Sequence, residues 1–304
     1  MTQRASINSI GLFQALLAAI IWGVLPIYFK ALQNVGAFEV VAHRVLWSIP
    51  LLLCILWLRK NLSGLKEAWS DRKIHRPLFF SALLIAVNWL FYIWAVHADH
   101  VLAASLGYFI SPLLSVFLGN IILKERLSRN QWIAIAVAAV GVSILAMEAW
   151  QTLWISLILA ASWSCYALIR KITPAGPMVG LSIETTYLFP LFAGYLLWIG
   201  MDGNSPADSL HFGDSATITA LLLGASVMTA TPLLLFAAAV KKMNLGTISL
   251  IQYLAPSIQF LIAIFVFQEP LSSAQLTCFL LIWTSLALFS WDMLWGQSAK
   301  NMNT

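Results

Sequence analysis

Charged residues inside apolar segments are the first candidates for chemistry in this 304-residue chain. Arg44 lies about seven residues into the apolar run 37–58, roughly 10 Å along a helix, and Glu184 lies inside a later run. An arginine at that depth in a membrane costs at least ~2.5 kcal/mol unless it faces a partner or water. Both residues are therefore predicted to line a central cavity, as an ion pair in one state. The alternative is a static pair that only orders helices.

Glu39 and His43 form a second titratable pair in the same run. They are four residues apart and so share one face of a helix. We interpret them as a hydrogen-bonded wedge near the outer end of that helix. The alternative is a proton relay, because histidine titrates near neutral pH.

Aromatic and amide residues in other apolar runs would suit an amphipathic organic substrate, since rings supply apolar contact while amides and hydroxyls fix orientation. The predicted substrate-binding set adds to Arg44 and Glu184 the residues Asn88, Tyr92, Tyr108, Gln252, Tyr253, Trp22, Trp163 and Tyr166. For any single aromatic residue of this set, helix packing is the alternative.

Two prolines at matching places, Pro112 and Pro256, are the candidates for gating hinges. A proline inside a membrane helix frees a carbonyl that a neighbouring helix or cavity water must satisfy. Kinks at these positions would therefore suit a moving cavity wall.

The composition places these residues in a membrane. Hydrophobic residues make up 61% of the chain and charged residues 10%, against roughly 45–50% and about 25% in soluble domains. Because a span needs ~20 apolar residues, the sequence predicts an all-α integral membrane protein with ten transmembrane helices. Their predicted bounds are 10–32, 37–58, 77–97, 101–123, 131–147, 152–171, 178–200, 216–240, 246–267 and 275–295.

The basic residues predict the orientation of these spans. All lysines and arginines except Lys30 and Arg44 fall in the two termini or in one alternate set of segments between or at the ends of the spans, which the positive-inside rule assigns to the cytoplasm. Both termini are therefore predicted to be cytoplasmic. The net charge of +5 is explained by this anchoring, so the predicted partners are the lipid bilayer and a small-molecule substrate, and nucleic acid is not one. The opposite loops hold acidic residues: Asp99, Glu148, Asp202, Asp208, Asp214 and Glu269.

The chain also contains an internal repeat. Residues Ala104–Gln131 match Ile248–Gln275 without a gap. Five spans per half is an odd number, so the second half must be inverted in the membrane, an arrangement typical of secondary transporters. The predicted units are 1–148, 149–295 and a cytoplasmic tail, 296–304. Other matching positions are Trp22 with Trp163, Lys30 with Lys171 and Arg44 with Glu184.

Several motifs resemble those of the RarD permeases, members of the drug/metabolite transporter superfamily with EamA domains. The resemblance implies a secondary carrier of small organic solutes in the bacterial inner membrane, often an exporter. RarD members are commonly labelled chloramphenicol-sensitivity or -resistance permeases. The motifs are WGVLPIYFK at 22–30, EVVAHRVLWS at 39–48, NWLFYIWA at 88–95, LGYFISP at 106–112 and LIQYLAP at 250–256.

The sequence carries no Walker A loop, dinucleotide fingerprint, HExxH or GxSxG motif, so it predicts neither an ATP-driven pump nor a cofactor. His97 and His100 are too few ligands for a metal site. Small residues such as Ala134 and Ala138 would allow close helix contact within the bundle or in a homodimer. The prediction is a secondary transporter and not an enzyme; a receptor, a channel or a membrane-embedded enzyme remain the alternatives.

Overall fold

The computed structural model describes residues 8–98, 100–148, 150–202, 210–268 and 272–301, and every regular element in these ranges is helical. Glu269 and the acidic loop residues Asp99 and Asp208 lie outside the described residues. The α-helices are α1 (Ser9–Lys30), α2 (Ala37–Leu58), α3 (Leu62–Ser70), α4 (Arg72–His97), α5 (Val101–Ile121), α6 (Arg129–Glu148), α7 (Leu153–Ile172), α8 (Pro177–Asp202), α9 (Ala216–Lys242), α10 (Leu245–Ile251), α11 (Leu254–Phe265) and α12 (Ser273–Asn301).

Nine helices of the described chain are long and apolar enough to cross a membrane, which makes this a multi-pass membrane protein. They match nine of the ten predicted spans, with α10 and α11 sharing one. The remaining predicted span is α8, which has 26 residues but is not among the nine. Ser182, Glu184 and Thr185 lower its hydropathy, so a ten-span arrangement stays a prediction.

The helices α6 and α12 begin with the same capping box. The Ser128 hydroxyl oxygen accepts the backbone N–H of Gln131 at 3.1 Å. In return, the side-chain amide oxygen of Gln131 accepts the backbone N–H of Ser128 at 2.9 Å. Ser272 and Gln275 repeat both bonds at 3.1 and 3.0 Å. Two matching stretches of sequence therefore form the same local structure.

The helices of the predicted first half pack mainly against those of the second. α4 and α5 contact α7, and in the corresponding way α9 and α11 contact α1. α2 packs against α8, and α6 packs against α12. The helix pairs that would correspond in two related halves thus pack in corresponding ways, and α2, α4, α7, α8 and α9 enclose the cavity described below.

The two candidate hinge prolines lie in different local structures. Pro112 is inside α5, which continues unbroken from Val101 to Ile121. Pro256 lies in the first turn of α11, where a proline removes no helical hydrogen bond. The break precedes it, because α10 ends at Ile251 and α11 begins at Leu254.

One assignment of the sequence analysis is corrected. Arg170 was counted among the basic loop residues, but it lies in α7 with 2% of its surface exposed. Lys171 donates to the backbone carbonyl oxygens of Val240, at 2.9 Å, and Met243. Such carbonyls at a helix end lack intrahelical partners, so these two cations stabilise the inside of the bundle and do not mark a loop.

Candidate functional site

A narrow cavity lies between α2, α4, α7, α8 and α9. It has about 360 Å³ of empty space, including space open to the outside, and the centre of a water molecule could occupy about 20 Å³ of it. That is room for about one water, so the site is too narrow for an organic solute in this conformation. The lining residues are Arg44, Val45, Ser48, Ile85, Trp89, Tyr166, Leu181, Glu184, Thr185, Leu188, Thr229, Ala230 and Leu233.

Arg44 supplies a guanidinium group to this cavity from α2. Its Nε donates a hydrogen bond of 2.5 Å to the Thr229 hydroxyl on α9. The guanidinium carbon lies 5.1 Å from the Trp89 ring centroid and 5.4 Å from that of Phe29, within range of cation–π attraction. None of the ion pairs found among the described residues involves Arg44.

Glu184 supplies a carboxylate to the same cavity from α8. Its Oε1 atom lies 3.5 Å from Nη1 of Arg170, and both side chains are almost fully buried. The Ser81 hydroxyl on α4 donates a hydrogen bond to the same oxygen. Arg170 also donates to the Pro177 carbonyl at 3.1 Å, so its guanidinium is fixed between α7 and α8.

Arg44 and Glu184 therefore both line one cavity, as predicted. In this conformation, however, the Glu184 carboxylate forms its ion pair with Arg170 and not with Arg44. Arg170 was not predicted as a site residue because it adjoins Lys171 at the end of a predicted span. Gly180 was a usable signal. A Cβ atom at that position would overlap the Arg170 guanidinium, so the glycine provides the space for it.

Of the predicted aromatic residues, Tyr166 is the one found among the described residues that line the cavity. The Trp163 ring centroid is 5.6 Å from that of Tyr166 and 5.4 Å from that of Trp22. Trp163 Nε1 donates a 3.1 Å hydrogen bond to Gln252. Trp22, Trp163 and Gln252 thus form a second layer behind Tyr166 and link α1, α7 and the break between α10 and α11.

Tyr92 on α4 and Tyr108 on α5 are not among the described residues that line the cavity. Their ring centroids are 5.6 Å apart in an edge-to-face arrangement. The two rings therefore link α4 to α5.

Asn88 and Tyr253 lie outside the cavity wall. The Asn88 amide donates to the Leu159 carbonyl and the Ser162 hydroxyl, each at 3.0 Å. The Tyr253 hydroxyl donates to the Phe109 carbonyl at 2.9 Å. A buried polar group without a hydrogen bond is unfavourable, so these side chains bind neighbouring helices in this conformation.

Glu39 and His43 lie at the far end of α2 from Leu58, against the segment before α9. The Glu39 carboxylate accepts the backbone N–H of His211 at 2.8 Å and contacts its ring Nδ1 at 2.9 Å. His43 Nε2 is 3.7 Å from Glu39, and Trp47 donates to His43 Nδ1 at 3.0 Å. These contacts hold a loop to a helix end. His211 was not foreseen, because no spacing rule links it to Glu39.

Fold and site together define a class: a multi-pass helical membrane protein with opposite charges facing one buried cavity. The model of the EamA-like transporter family matches residues 9–147. The chain is 39% identical to the "Uncharacterized transporter YojE" of Bacillus subtilis, over 96% of this chain and 97% of that protein. It is 37% identical to "Protein RarD" of Salmonella typhimurium, over 95% and 97%.

A solved crystal structure shares the fold, with a TM-score of 0.71 at 16% identity, over 93% of this chain and 97% of that one. The chain belongs to the RarD permeases of the EamA-like transporter family.

Proposed function

We propose that this protein is a secondary transporter that exports a small organic solute across the bacterial inner membrane by alternating access. The observation that carries the proposal is the buried cavity faced by both Arg44 and Glu184. These residues hold equivalent positions in the two proposed halves. Intramembrane ionisable residues of this kind typically mark a transport pathway, and transporters with inverted repeats bind substrate at the interface of the repeats.

Three observations support the proposed halves, 1–148 and 149–295, with a tail from 296 to 304. The family model matches residues 9–147, close to the proposed first half. The capping boxes of α6 and α12 repeat the same two hydrogen bonds. The helix pairs that correspond in the two halves also pack in corresponding ways. Ten spans and cytoplasmic termini complete the proposed topology.

Alternating access requires that the cavity widen on one side at a time. In this conformation the cavity has room for about one water, so helices must separate to admit an organic solute. The break between α10 and α11 at Gln252–Tyr253 is a place where such a movement would disturb few helical hydrogen bonds. Pro112 and Pro256 remain the proposed hinges on the two sides of the repeat.

The proposed substrate site has an inner and an outer part. Arg44, Glu184 and Tyr166 face the cavity directly. Tyr92 and Tyr108 contact each other outside this lining, and Trp22, Trp163 and Gln252 form a layer behind Tyr166. Asn88 and Tyr253 would reach a solute only after the helices rearrange, because their polar groups are bonded to neighbouring helices.

Counterflow tests this function. Proteoliposomes preloaded with a bacterial metabolite extract are exposed to a labelled extract, and exchanged compounds are identified by mass spectrometry. A compound that exchanges with wild type, and not with Arg44→Ala, is the expected result. Arg72→Ala is the matched control, since Arg72 is an exposed arginine on α4 outside the site. A channel would show no counterflow, and exchange that is unchanged in Arg44→Ala would remove Arg44 from the site.

The direction of transport needs a separate measurement. The identified compound is offered to inside-out and to right-side-out membrane vesicles under the same imposed gradient. Export predicts accumulation in the inside-out vesicles. Accumulation only in right-side-out vesicles would make the protein an importer.

A further inference from the structure

The charges around the cavity do not balance. Among the described residues, Arg44 and Glu184 are the charged residues found to line it, and Arg170 forms an ion pair with Glu184. Glu184 is paired with Arg170 at 3.5 Å, so this pair is neutral when both are ionised. Arg44 then leaves the cavity with one positive charge and no carboxylate to offset it among the described residues.

The other contacts of Arg44 orient it without neutralising it. The Thr229 hydroxyl accepts from Nε, and the rings of Trp89 and Phe29 lie near the guanidinium. The two terminal Nη groups donate to no acceptor among the described residues. Two parallel N–H donors on a fixed planar group match the two oxygens of a carboxylate or phosphate.

We infer that the transported solute carries an oxyanion, a carboxylate or a phosphate, which binds the Nη groups of Arg44. The inference rests on the proposed function and adds the chemical class of the substrate. The Trp89 ring, 5.1 Å from the guanidinium carbon, provides an apolar surface beside the anion.

The same charges disfavour other solutes. A cationic solute would meet the unpaired Arg44, and a neutral solute would leave its charge uncompensated in a low-dielectric site. Glu184 is the only carboxylate found to line the cavity in the described part of the chain, and its counter-ion is already Arg170. Selection by charge is therefore expected to depend on Arg44.

Binding of matched small probes tests the inference. Benzoate, phenyl phosphate, benzamide and benzylamine share a phenyl ring and differ in charge. Their affinities for the purified full chain in lipid nanodiscs would be measured by isothermal titration. We expect benzoate or phenyl phosphate to bind about tenfold or more tightly than the neutral and cationic probes. The stronger of the two identifies the oxyanion as carboxylate or phosphate.

Variants assign this preference to Arg44. Arg44→Gln is expected to abolish it, Arg44→Lys to retain part of it, and the surface control Arg72→Gln to leave it unchanged. Thr229→Val removes the acceptor of Arg44 Nε and is expected to weaken anion binding while leaving the charge in place. Equal affinities for the four probes, no binding of any probe, or a preference that survives Arg44→Gln would overturn the inference.

The outcome is separable from that of the proposed function. Anion-selective binding without counterflow would support the site and overturn the carrier. Counterflow of a neutral or cationic compound would support the carrier and overturn the oxyanion.

Discussion

In the proposed repeat, Arg44 and Glu184 occupy matching positions in α2 and α8, yet the structure surrounds them differently. Because Lys30 aligns with Lys171, Phe29 on α1 aligns with Arg170 on α7. Glu184 has the Arg170 guanidinium at 3.5 Å, whereas Arg44 has the Phe29 ring at 5.4 Å in the corresponding place. One half thus holds its charge in an internal ion pair, and the other presents an unpaired charge to the cavity.

The equivalent lysines differ in a similar way. Lys171 lies 3.8 Å from Glu125, and the Glu125 carboxylate accepts the backbone N–H groups of Leu245 and Gly246 at 2.8 and 3.1 Å. Lys30 is exposed and contacts the Phe267 ring, 5.6 Å from its centroid. The end of the bundle near Lys171 is therefore held by ionic and hydrogen-bonded contacts that the described residues near Lys30 do not repeat. Lys30 and Lys171 thus match in sequence but make different contacts in this conformation.

The largest effect is expected from removing the charge of Glu184. Glu184→Gln leaves Arg170 buried without a counter-ion, which typically costs about 3–5 kcal/mol of unfolding free energy. Thermal unfolding in detergent, followed by tryptophan fluorescence, measures the loss. In the control, Arg170→Leu with Glu184→Leu removes both charges together and should recover most of the stability. A single variant as stable as wild type would mean that the ion pair contributes little.

The second-largest loss of stability is expected from filling the space beside the Arg170 guanidinium. Gly180→Ala adds a Cβ that overlaps the guanidinium, and we expect a loss of about 1–3 kcal/mol from overpacking. Gly194→Ala on the same helix is the matched control, because a Cβ there meets nothing within 4 Å. The same unfolding assay compares the two. Equal stabilities would show that Arg170 shifts at no cost and does not depend on Gly180.

A smaller effect is expected at the Lys171 end of the bundle. Glu125→Gln weakens the contacts with the first N–H groups of α10 and with Lys171, a loss of about 1 kcal/mol, as for other helix caps. Glu67→Gln on exposed α3 is the control. Lys30→Met should leave stability unchanged. If Lys30→Met destabilises the protein as much as Glu125→Gln does, the two ends are equivalent after all.

The smallest effect on stability is expected at Arg44. Arg44→Ala removes the Thr229 hydrogen bond, but it also removes a half-buried charge that has no carboxylate partner among the described residues, so the net change should stay within about 1 kcal/mol. Counterflow should nevertheless be lost. Unfolding and transport are measured on the same preparation. A strongly destabilised variant would instead identify Arg44 as a structural residue.

The positions of the helices were largely predictable. The apolar run 37–58 coincides with α2, and the run 216–240 ends two residues before α9 does. The sequence predicted one continuous span over 246–267, whereas the structure has two helices there, separated by a turn at Gln252–Tyr253. Apolarity alone does not reveal such a local turn. The predicted tail from 296 is helical as far as Asn301, because α12 continues past the apolar run.

The candidate site was only partly predictable. Arg44 and Glu184 stood out because a charge in an apolar segment is unfavourable without a partner. Arg170 did not, since an arginine at the end of a span also fits an interfacial position. Asn88 was assigned to the substrate site because an amide would orient an organic solute, but the rotation of α4 turns its amide toward Leu159 and Ser162 on α7.

The sequence by itself determined the membrane environment, the helices and the internal repeat. Apolarity is a property of each segment, and a helix in lipid satisfies its own backbone hydrogen bonds. Only the tertiary structure decided that Glu184 pairs with Arg170 while Arg44 stays without a carboxylate among the described residues. That choice depends on how helices far apart in the chain rotate and pack against one another, and on the space left by a single glycine. Contacts of a few ångströms between distant residues are not encoded in local periodicity.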